Sequence, residues 1–464
     1  MSGWFRLPRT PNSEGVVSLP DVDGRKVLAF ASMDWVATDP GDVVERLWRA
    51  IRAARKDIQA LGGRAVPLIG VPLAGTGEGG LAHRRGEVID DLLDKHRAER
   101  SSLDCDIALV LYERQDFAAA QARRRTEDFP PEELSDELRE KADRLGRLAR
   151  ARQLSLFLGS GVSRPVGLPD WNGLLEHLAR AGDIPMPQGR DPEAIASDIK
   201  SKLAPSTYRR GLVTALDSEL HGIGHALLAS LPVTQMVTTN FDPCMELALE
   251  GAVGKDAFSV LIRQVADGSK PWLLKLNGDI SDPDSIVLTA EDFEQHVDKN
   301  RALHGLVQGL LLTSHLFFVG FSFTDKSFLE LAGGVARVLN KARGTSASEQ
   351  TNTAIALTPR DLADVGYHDL DILVMSQSVG ETSGAARRLE IFLDRVCWQA
   401  ASISDRAAEY LLDDRYLSSL TQEDLELRAA LLRLTSDVSE RGKANSMGWK
   451  RIEAVLEDLG HRSR

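Results

Sequence analysis

Four apolar segments of this chain each end in a turn of glycine or small polar residues, and this repetition constrains the fold more than any other feature. The segments are LSLFLGSG from Leu154, MVTTNFD from Met236, WLLKLNGD from Trp272 and LFFVGFS from Leu316. Stretches with a helical pattern separate them, and TAIALT and DILVMS continue the alternation. Strands that alternate with helices form parallel sheets covered by helices. The sequence therefore predicts an α/β fold with a Rossmann-like, doubly wound parallel sheet.

The length of the chain, 464 residues, exceeds what one hydrophobic core serves, so we expect at least two domains. Residues 1–125 alternate strand-like and helix-like patterns and are predicted to form a separate α/β domain. The acidic, proline-containing stretch 126–134 is predicted as a linker that leads into a helix capped by Ser135. The doubly wound domain is expected to span residues 135–400, and residues 401–464 to form a C-terminal helical extension.

Composition and charge disfavour several classes of function. The formal net charge of -12 argues against a large nucleic-acid footprint, because phosphate binding needs clustered lysine and arginine. Cys105, Cys244 and Cys397 are far apart and form no CxxC pair, so neither a disulfide nor a metal site is expected. The N-terminal residues lack the apolar core of a signal peptide, and no apolar run is long enough to span a bilayer. We expect a cytoplasmic protein without a membrane partner.

The turn after the first of the four strands is a candidate phosphate site. It contains Gly159, Ser160, Gly161 and Ser163 and runs into a stretch compatible with a helix. Glycines at the carboxyl end of a strand let the backbone approach a phosphate, and the N–H groups of the next helix face the anion. A tight turn without a ligand would explain the same residues.

The four segments together resemble the sirtuin-like NAD domains of bacterial anti-phage effectors. LSLFLGSGVSRPVGLPDW, VTTNFDPCMELAL, LLKLNGDISDPDSIVLTAEDF and LFFVGFSFTDKSF stand in the order of that family's motifs. The resemblance implies that Asn240, Asp242 and Asn277 lie at the catalytic centre. It also implies that the diphosphate lies on the first turn and that Ser322 and Asp325 meet the adenosine ribose. The NAD-binding positions that the resemblance implies are Gly159, Ser160, Gly161, Ser163, Asp170, Trp171, Thr239, Gly320, Ser322 and Asp325.

The chemistry of NAD cleavage assigns roles to these residues. Nicotinamide leaves as the ribose carbon gains oxocarbenium character, so polar groups must hold the ribose while water attacks. The Asn240 amide both donates and accepts, which suits it to orient ribose hydroxyls or water. Asp242 is suited to act on the same region electrostatically. A turn stabilised by the side chains of Asn240 and Asp242 is the alternative interpretation.

Asn277 departs from the family, which usually has histidine at this position in a KLHGD segment. Asparagine does not titrate near neutral pH and cannot take a proton. Asp242, His225 or His296 would then have to serve as the base, or ribose positioning would supply the rate. Otherwise the domain binds NAD or ADP-ribose without cleaving it. The four-cysteine zinc module of lysine-deacylating sirtuins has no counterpart here, which disfavours deacylation.

A second glycine-rich loop follows an N-terminal strand, in VPLIGVPLAGTGEGGLAHRRG from Val66. It resembles the diphosphate loop of macro domains, in which backbone N–H groups form an anion-binding nest. A Rossmann-like SLOG-type nucleotide sensor and a loop with no ligand are the alternatives. The predicted ligand-facing residues are Gly75, Thr76, Gly77, Gly79 and Gly80.

These resemblances together predict an NAD glycohydrolase that releases nicotinamide and ADP-ribose in anti-phage defence. An ADP-ribose-type nucleotide bound by the N-terminal domain would activate it, and self-association and a defence-system partner protein are expected. The alternative prediction is a regulatory protein that binds NAD or ADP-ribose without turnover. A protein-modifying deacylase or ADP-ribosyltransferase is the third.

Overall fold

The computed structural model describes most of the chain in two compact units. The described residues are 16–18, 28–30, 39–57, 64–77, 80–125, 133–186, 191–299, 301–323, 328–329, 331–335, 352–362, 370–401 and 408–461. One unit is formed by Met1–Pro130 together with Ala401–Arg464, and the other by Pro131–Ala400. The C-terminal segment thus belongs to the same unit as the N-terminal α/β region.

The described residues of the N-terminal part of the first unit form two small sheets and three helices. Its elements are β1 (Val16–Ser18), β2 (Leu28–Phe30), α1 (Pro40–Asp57), β3 (Leu68–Pro72), α2 (Arg85–Leu103), β4 (Asp106–Val110) and α3 (Arg114–Arg125). β1 and β2 pair antiparallel, whereas β3 and β4 pair parallel with Leu68 opposite Asp106. The apolar stripe of α1 packs into the core around Trp48, which is fully buried.

The second unit is built on a seven-stranded parallel sheet. Its strands are β5 (Leu154–Leu158), β6 (Gln235–Thr238), β7 (Ser259–Leu261), β8 (Trp272–Lys275), β9 (His315–Val319), β10 (Asn352–Ala356) and β11 (Leu370–Val374). They lie in the order β11-β10-β9-β5-β6-β8-β7. From β5 the chain first builds the β6 side and then crosses to build the β9 side. This order confirms the predicted doubly wound sheet, and its reversal point lies between β5 and β9, where such folds bind ligands.

Helices cover both faces of this sheet. They are α4 (Asp136–Arg150), α5 (Trp171–Ala181), α6 (Pro192–Lys202), α7 (Pro205–Leu216), α8 (Ile223–Ser230), α9 (Cys244–Val253), α10 (Ala290–Lys299), α11 (Arg301–Thr313) and α12 (Thr382–Ala400). α4, α8, α9 and α12 share one apolar core with the sheet, and α11 contributes to another, aromatic-rich core. α5, α6 and α7 pack around a separate cluster that includes Leu175 and Leu212. As predicted, Ser135 caps α4 by accepting a hydrogen bond from the Leu138 N–H.

The C-terminal helices complete the first unit. They are α13 (Gln422–Asp437), α14 (Glu440–Asn445) and α15 (Met447–Asp458). Leu411, Leu412, Trp449 and Leu456 form their core. Before them, the Tyr416 hydroxyl donates to the Asp116 carboxylate on α3 at 2.7 Å. None of the helices described here combines the length and apolar character that crossing a bilayer requires.

A buried histidine at the start of β9 makes the stability of the second unit depend on pH. His315 lies 3.0 Å from the Thr353 hydroxyl, and burial lowers its pKa to about 4. The unfolded chain, with an ordinary pKa of about 6.5, binds the proton more readily between these values. We therefore expect this group to remove up to about 3 kcal/mol of unfolding free energy as pH falls from about 6.5 to about 4.

Denaturant unfolding of the wild type and His315→Gln at several pH values measures this contribution. The unfolding free energy of His315→Gln minus that of the wild type should increase as the pH is lowered. A difference that stays constant from pH 7 to pH 4 would contradict the prediction.

Candidate active site

The turn after β5 lies directly against the turn after β9. The Gly159 N–H donates to the Val319 carbonyl, and the Gly161 N–H donates to the Gly320 carbonyl, each at 3.0 Å. A Cβ at Gly159 would lie 2.4 Å from the Gly320 oxygen, and a Cβ at Gly161 would lie 2.7 Å from the Gly320 Cα. Gly320 itself has φ of +67°. Glycine is therefore needed here for the close approach of two loops of the protein.

Four backbone N–H groups of the first turn donate to carbonyls of the protein itself. Besides Gly159 and Gly161, the Val162 N–H donates to the Gly159 carbonyl and the Ser163 N–H to the Ser160 carbonyl. These bonds form a short 3-10 helix at Ser160–Val162. In this conformation the turn does not present the row of free N–H groups on which the predicted phosphate cradle depends.

Gly159→Ala is expected to destabilise the second unit by about 2–3 kcal/mol, because its methyl group would overlap backbone atoms that cannot rotate away. The matched control is Gly251→Ala in α9, where an added Cβ meets no atom within 4 Å among the described residues. Alanine should raise helix stability there by about 0.5–1 kcal/mol. Thermal unfolding of both variants checks the pair, and equal effects would contradict the loop contact.

The Asn240 side chain lies at the end of β6 and reaches the first turn. Its Nδ2 donates to the Gly159 carbonyl at 3.2 Å and to the Ser163 hydroxyl oxygen at 3.1 Å. A carbonyl oxygen only accepts, so this contact fixes which end of the amide carries the hydrogens. The Asn240 Oδ1 is buried and has no hydrogen-bond partner within the described part of the chain. The structure thus brings Gly159, Ser163 and Asn240 together, and the Asn240 Oδ1 is a buried acceptor that could bind a ligand.

His225, on α8, also reaches this site. It is 1% exposed, and its Nε2 lies 3.2 Å from the Ser163 hydroxyl oxygen. Burial lowers its pKa to about 4, although the nearby Asp242 carboxylate opposes this shift. His225 is therefore neutral at physiological pH and belongs to the interior of the site.

Asp242 and Cys244 lie beside His225. One potential ligand atom from each of the three residues falls within 4.8 Å of the others, a grouping that would suit a metal ion. However, the Asp242 carboxylate accepts a hydrogen bond from the Cys244 N–H at 3.0 Å. Burial raises the pKa of the Cys244 thiol, which keeps it protonated. These contacts fit a hydrogen-bonded turn at the start of α9, and the absence of a metal stays a prediction.

A buried ion network holds the loop that carries Asn240. The Lys275 ammonium is fully buried and donates to the carbonyls of Phe241 and Asp242 at 3.0 and 2.7 Å. It also pairs with Glu246 at 2.8 Å and lies 3.6 Å from Asp279. Two cations then face two carboxylates, because Arg263 pairs with both Glu246 and Asp279.

The pKa shifts of the two carboxylates follow from this network. Burial raises the pKa of Glu246 in spite of the Lys275 charge. Burial also acts on Asp279, but Lys275, the Ser281 N–H and Arg263 together hold the pKa of Asp279 below its ordinary value.

Asn277 follows β8 just as Asn240 follows β6. Thr238 and Lys275 are paired in the sheet, and each asparagine lies two residues beyond its paired strand end. Asn277 is 5% exposed, and its carbonyl accepts from the Val287 N–H at 2.9 Å. The Ile280 N–H donates to the Phe241 carbonyl at 3.0 Å, which joins the two loops. The structure therefore places both predicted residues at neighbouring strand ends.

The other predicted NAD-binding residues differ in their surroundings. Asp170 caps α5 by accepting from the Gly173 N–H at 2.9 Å, and Trp171 packs at the edge of the α5–α7 cluster. The Thr239 N–H donates to the Leu158 carbonyl at 3.1 Å, which ties this residue to β5. Ser322 is exposed after β9, whereas Asp325 lies outside the described residues.

The N-terminal glycine loop connects β3 to α2. Gly75 and Gly80 have φ of +78° and +87°, and the Leu81 N–H donates to the Gly75 carbonyl at 3.1 Å. The Thr76 side chain is buried and donates to the Leu73 carbonyl at 2.7 Å. A Cβ at Gly77 would meet no described atom within 4 Å, so the loop is open there. Gly79 lies outside the described residues, and the macro-like identity of this unit stays a prediction.

His225 and Arg263 lie at the candidate site although no sequence motif marks either of them. His225 was one of three candidate bases, without any local motif around it, and His296 belongs to the residues whose side chains are not described. Arg263 follows Ile262, which has φ of +90°, an unusual conformation for a β-branched residue. The packing of α8 against the first turn cannot be read from a single sequence. The same holds for the ion pairs of Arg263 with Glu246 and Asp279.

Three similar proteins are each named NAD(+) hydrolase ThsA. The one from Enterococcus faecium is 28% identical over 197 residues, which are 40% of this chain and 41% of that protein. The one from Acinetobacter baumannii (strain 532279) is 27% identical over 192 residues, 39% of each chain. The one from Bacillus cereus (strain MSX-D12) is 28% identical over 180 residues, 37% of each chain. This chain spans about two fifths of the length of these curated relatives.

Part of the second unit matches the model of a known domain family. The matched residues are 234–371, which include β6 to β10 and the loops that carry Asn240 and Asn277. The first of the four predicted motifs, at Leu154, lies before this span. Over residues 234–371 the chain is similar to the SIR2-like domain family, which supports the sirtuin-like resemblance for the second to fourth motifs.

Proposed function

We propose that the second unit binds NAD across the carboxyl ends of β5, β6 and β9 and cleaves it to nicotinamide and ADP-ribose. The observation that carries the proposal is the buried, unpartnered Oδ1 of Asn240, within the described residues, beside the reversal point of the sheet. A buried acceptor without a partner is unfavourable by about 1–3 kcal/mol, and a ribose hydroxyl would satisfy it. The similarity to proteins named NAD(+) hydrolase supports the same substrate.

The reaction fits a site that has asparagine where the family has histidine. The bond between the ribose carbon and the pyridinium nitrogen breaks, and its electron pair neutralises the nicotinamide ring. Nicotinamide therefore leaves without being protonated. A water oxygen then bonds to the ribose carbon and loses one proton to solvent or to a carboxylate such as Asp242. Because bond breaking precedes proton loss in a loose transition state, orientation of ribose and water supplies much of the rate.

The diphosphate requires positive charge near the first turn. The backbone N–H groups of Gly161 and Ser163 already donate within the protein, which favours a side chain as the source of this charge. Arg164 follows Ser163 directly; two thirds of its side chain is exposed, and it pairs with Asp170 at 3.4 Å. Its planar guanidinium can hold two phosphate oxygens at once.

The test is incubation of the purified full chain with NAD, with chromatographic measurement of nicotinamide and ADP-ribose. The two products should appear in equal amounts and together with loss of NAD. No release of nicotinamide from folded protein, with or without added ADP-ribose-type nucleotides, would overturn the proposal.

A second function is favoured by one observation, Asn277 at the family's histidine position. The unit would then bind NAD or ADP-ribose as a regulatory ligand without cleaving it. Calorimetry should show tight NAD binding with no turnover in the natural chain, and Asn277→His should gain turnover. Turnover by the natural chain would exclude this alternative.

The first unit is proposed to bind an ADP-ribose-type nucleotide at the loop between β3 and α2 and thereby to control NAD cleavage. The support is the left-handed glycines at its two ends and the open space at Gly77. Regulation requires that the nucleotide favour one state of the protein over another. The rate of nicotinamide release with and without ADP-ribose measures this regulation. If calorimetry shows that ADP-ribose binds but the rate is unchanged, the nucleotide does not control NAD cleavage.

The setting that we propose is cytoplasmic anti-phage defence, in which NAD depletion arrests an infected cell. Its support is the resemblance of the four motifs to effectors of that kind, and self-association and a defence-system partner protein belong to the same proposal. Phage plating on cells that express the chain or Asn240→Ala tests it. Equal plating on both would contradict a role for NAD cleavage in defence.

A further inference from the structure

The hydrogen bonds of His225 determine which of its ring nitrogens carries the proton. The Gly222 N–H donates to Nδ1 at 3.2 Å. A backbone N–H only donates, so Nδ1 must be unprotonated in the neutral ring. The hydrogen is then on Nε2, which lies 3.2 Å from the Ser163 hydroxyl oxygen. His225 is therefore a donor to Ser163.

The Ser163 hydroxyl consequently receives two hydrogen bonds. One comes from the His225 Nε2 and the other, at 3.1 Å, from the Asn240 Nδ2. A hydroxyl oxygen has two lone pairs, so both are occupied and its own hydrogen is left to donate. Ser163 is 2% exposed, and the hydrogen bonds described for it include no other protein acceptor. Asn240, next to it, has the unpartnered acceptor Oδ1.

We infer that His225 is a positioning residue that, through Ser163, sets one donor and one acceptor side by side for a ribose hydroxyl of the ligand. The inference rests on the proposed function, since it identifies what fixes the ribose end of that site. The Ser163 O–H donates to a ribose oxygen, and the Asn240 Oδ1 accepts from a ribose O–H. His225 is then excluded as the base in this conformation, because the nitrogen that faces the site already holds its hydrogen.

The surroundings of His225 maintain this arrangement. Burial lowers its pKa to about 4, and the charged or titratable groups that act on it are Asp242 and His221. The thiol of Cys244 also lies within the same cluster. The ring therefore stays neutral at neutral pH, and the direction of the hydrogen bonds persists with it.

Two substitutions at His225 separate positioning from proton transfer. Glutamine can accept from Gly222 and donate to Ser163 but cannot take up a proton, whereas leucine can do none of these. We expect His225→Gln to keep kcat/KM for NAD within about threefold of the wild type. His225→Leu should lower kcat/KM about 10- to 100-fold, with its thermal unfolding monitored to establish that it is folded. Ser163→Ala should resemble His225→Leu.

The opposite outcomes overturn the inference. A folded His225→Gln variant as inactive as His225→Leu would show that the ring must transfer a proton. A folded His225→Leu variant with wild-type kcat/KM would show that Ser163 needs no partner. If His225→Leu fails to fold, the wild type is compared with His225→Gln and Ser163→Ala instead. Near-wild-type kcat/KM in His225→Gln with a loss in Ser163→Ala supports positioning, and an inactive, folded His225→Gln or a fully active Ser163→Ala overturns it.

The tautomer of His225 tests the inference independently of activity. Long-range ¹H–¹⁵N spectra of the chain with labelled histidine, assigned with His225→Gln, report the state of both ring nitrogens. At neutral pH we expect an unprotonated Nδ1 and a protonated Nε2 without ligand. The reverse tautomer would overturn the inference even in an active enzyme. The expected tautomer in a chain that never cleaves NAD would instead overturn the proposed function alone.

Discussion

Replacing Asn240 with alanine is expected to slow NAD cleavage at least about 100-fold, the effect of removing one fixed polar group from a transition state. The amide is held at its Nδ2 by Gly159 and Ser163, so its Oδ1 has a defined position before the ligand binds. Such a group stabilises developing charge without reorganising. Steady-state nicotinamide release by the wild type and the variant measures the loss.

The matched control is Asn172→Ala, because Asn172 is an exposed asparagine on α5. It should leave the rate unchanged. Asn240→Ala should keep its fold. It removes a donor from the Gly159 carbonyl and from the Ser163 hydroxyl, which keeps its contact with His225, and the lost hydrogen bonds should each matter by about 1 kcal/mol. Wild-type turnover in folded Asn240→Ala would show that the ribose lies elsewhere.

Replacing Lys275 with methionine is expected to lower the unfolding free energy by about 3–5 kcal/mol, the largest stability effect that we expect in the second unit. Methionine has a similar length but no charge, so Glu246 and Asp279 would face Arg263 alone in a buried site. The carbonyls of Phe241 and Asp242 would lose their donor as well. Denaturant unfolding measures the change.

Lys270→Met is the control, because Lys270 forms a surface pair with Asp267 in which about two fifths or more of each side chain is exposed. It should change the unfolding free energy by less than about 1 kcal/mol. Adding Glu246→Gln to Lys275→Met should restore part of the lost stability, since the buried charges are then better balanced. A loss below about 1 kcal/mol for Lys275→Met would contradict a network that holds the Asn240 loop.

The doubly wound sheet was predictable because its strands are buried on both faces. Leu154–Leu158 and His315–Val319 are buried at every position, and such strands appear in a sequence as short apolar runs. The polar turns at their carboxyl ends predict a ligand site, which stays a prediction. The connection of residues 401–464 to the N-terminal region was not predictable, since it depends on contacts such as that between Tyr416 and Asp116, 300 residues apart.

The positions of the candidate site residues could be predicted only within motifs. Asn240 and Asn277 stand at strand ends, and a parallel sheet brings neighbouring strand ends together. The role of Gly159 could not be read in advance, because the sequence does not show that the approaching backbone is that of Gly320. His225 enters the site only because α8 packs beside the first turn, and its hydrogen-bond direction depends on Gly222.

A structure of the chain bound to ADP-ribose tests the central claim most directly. We expect a ribose hydroxyl within hydrogen-bond distance of the Asn240 Oδ1 and the Ser163 hydroxyl, with the diphosphate beside the turn after β5. ADP-ribose bound at saturation anywhere else, with the Asn240 Oδ1 satisfied by the protein's own groups, would contradict the account.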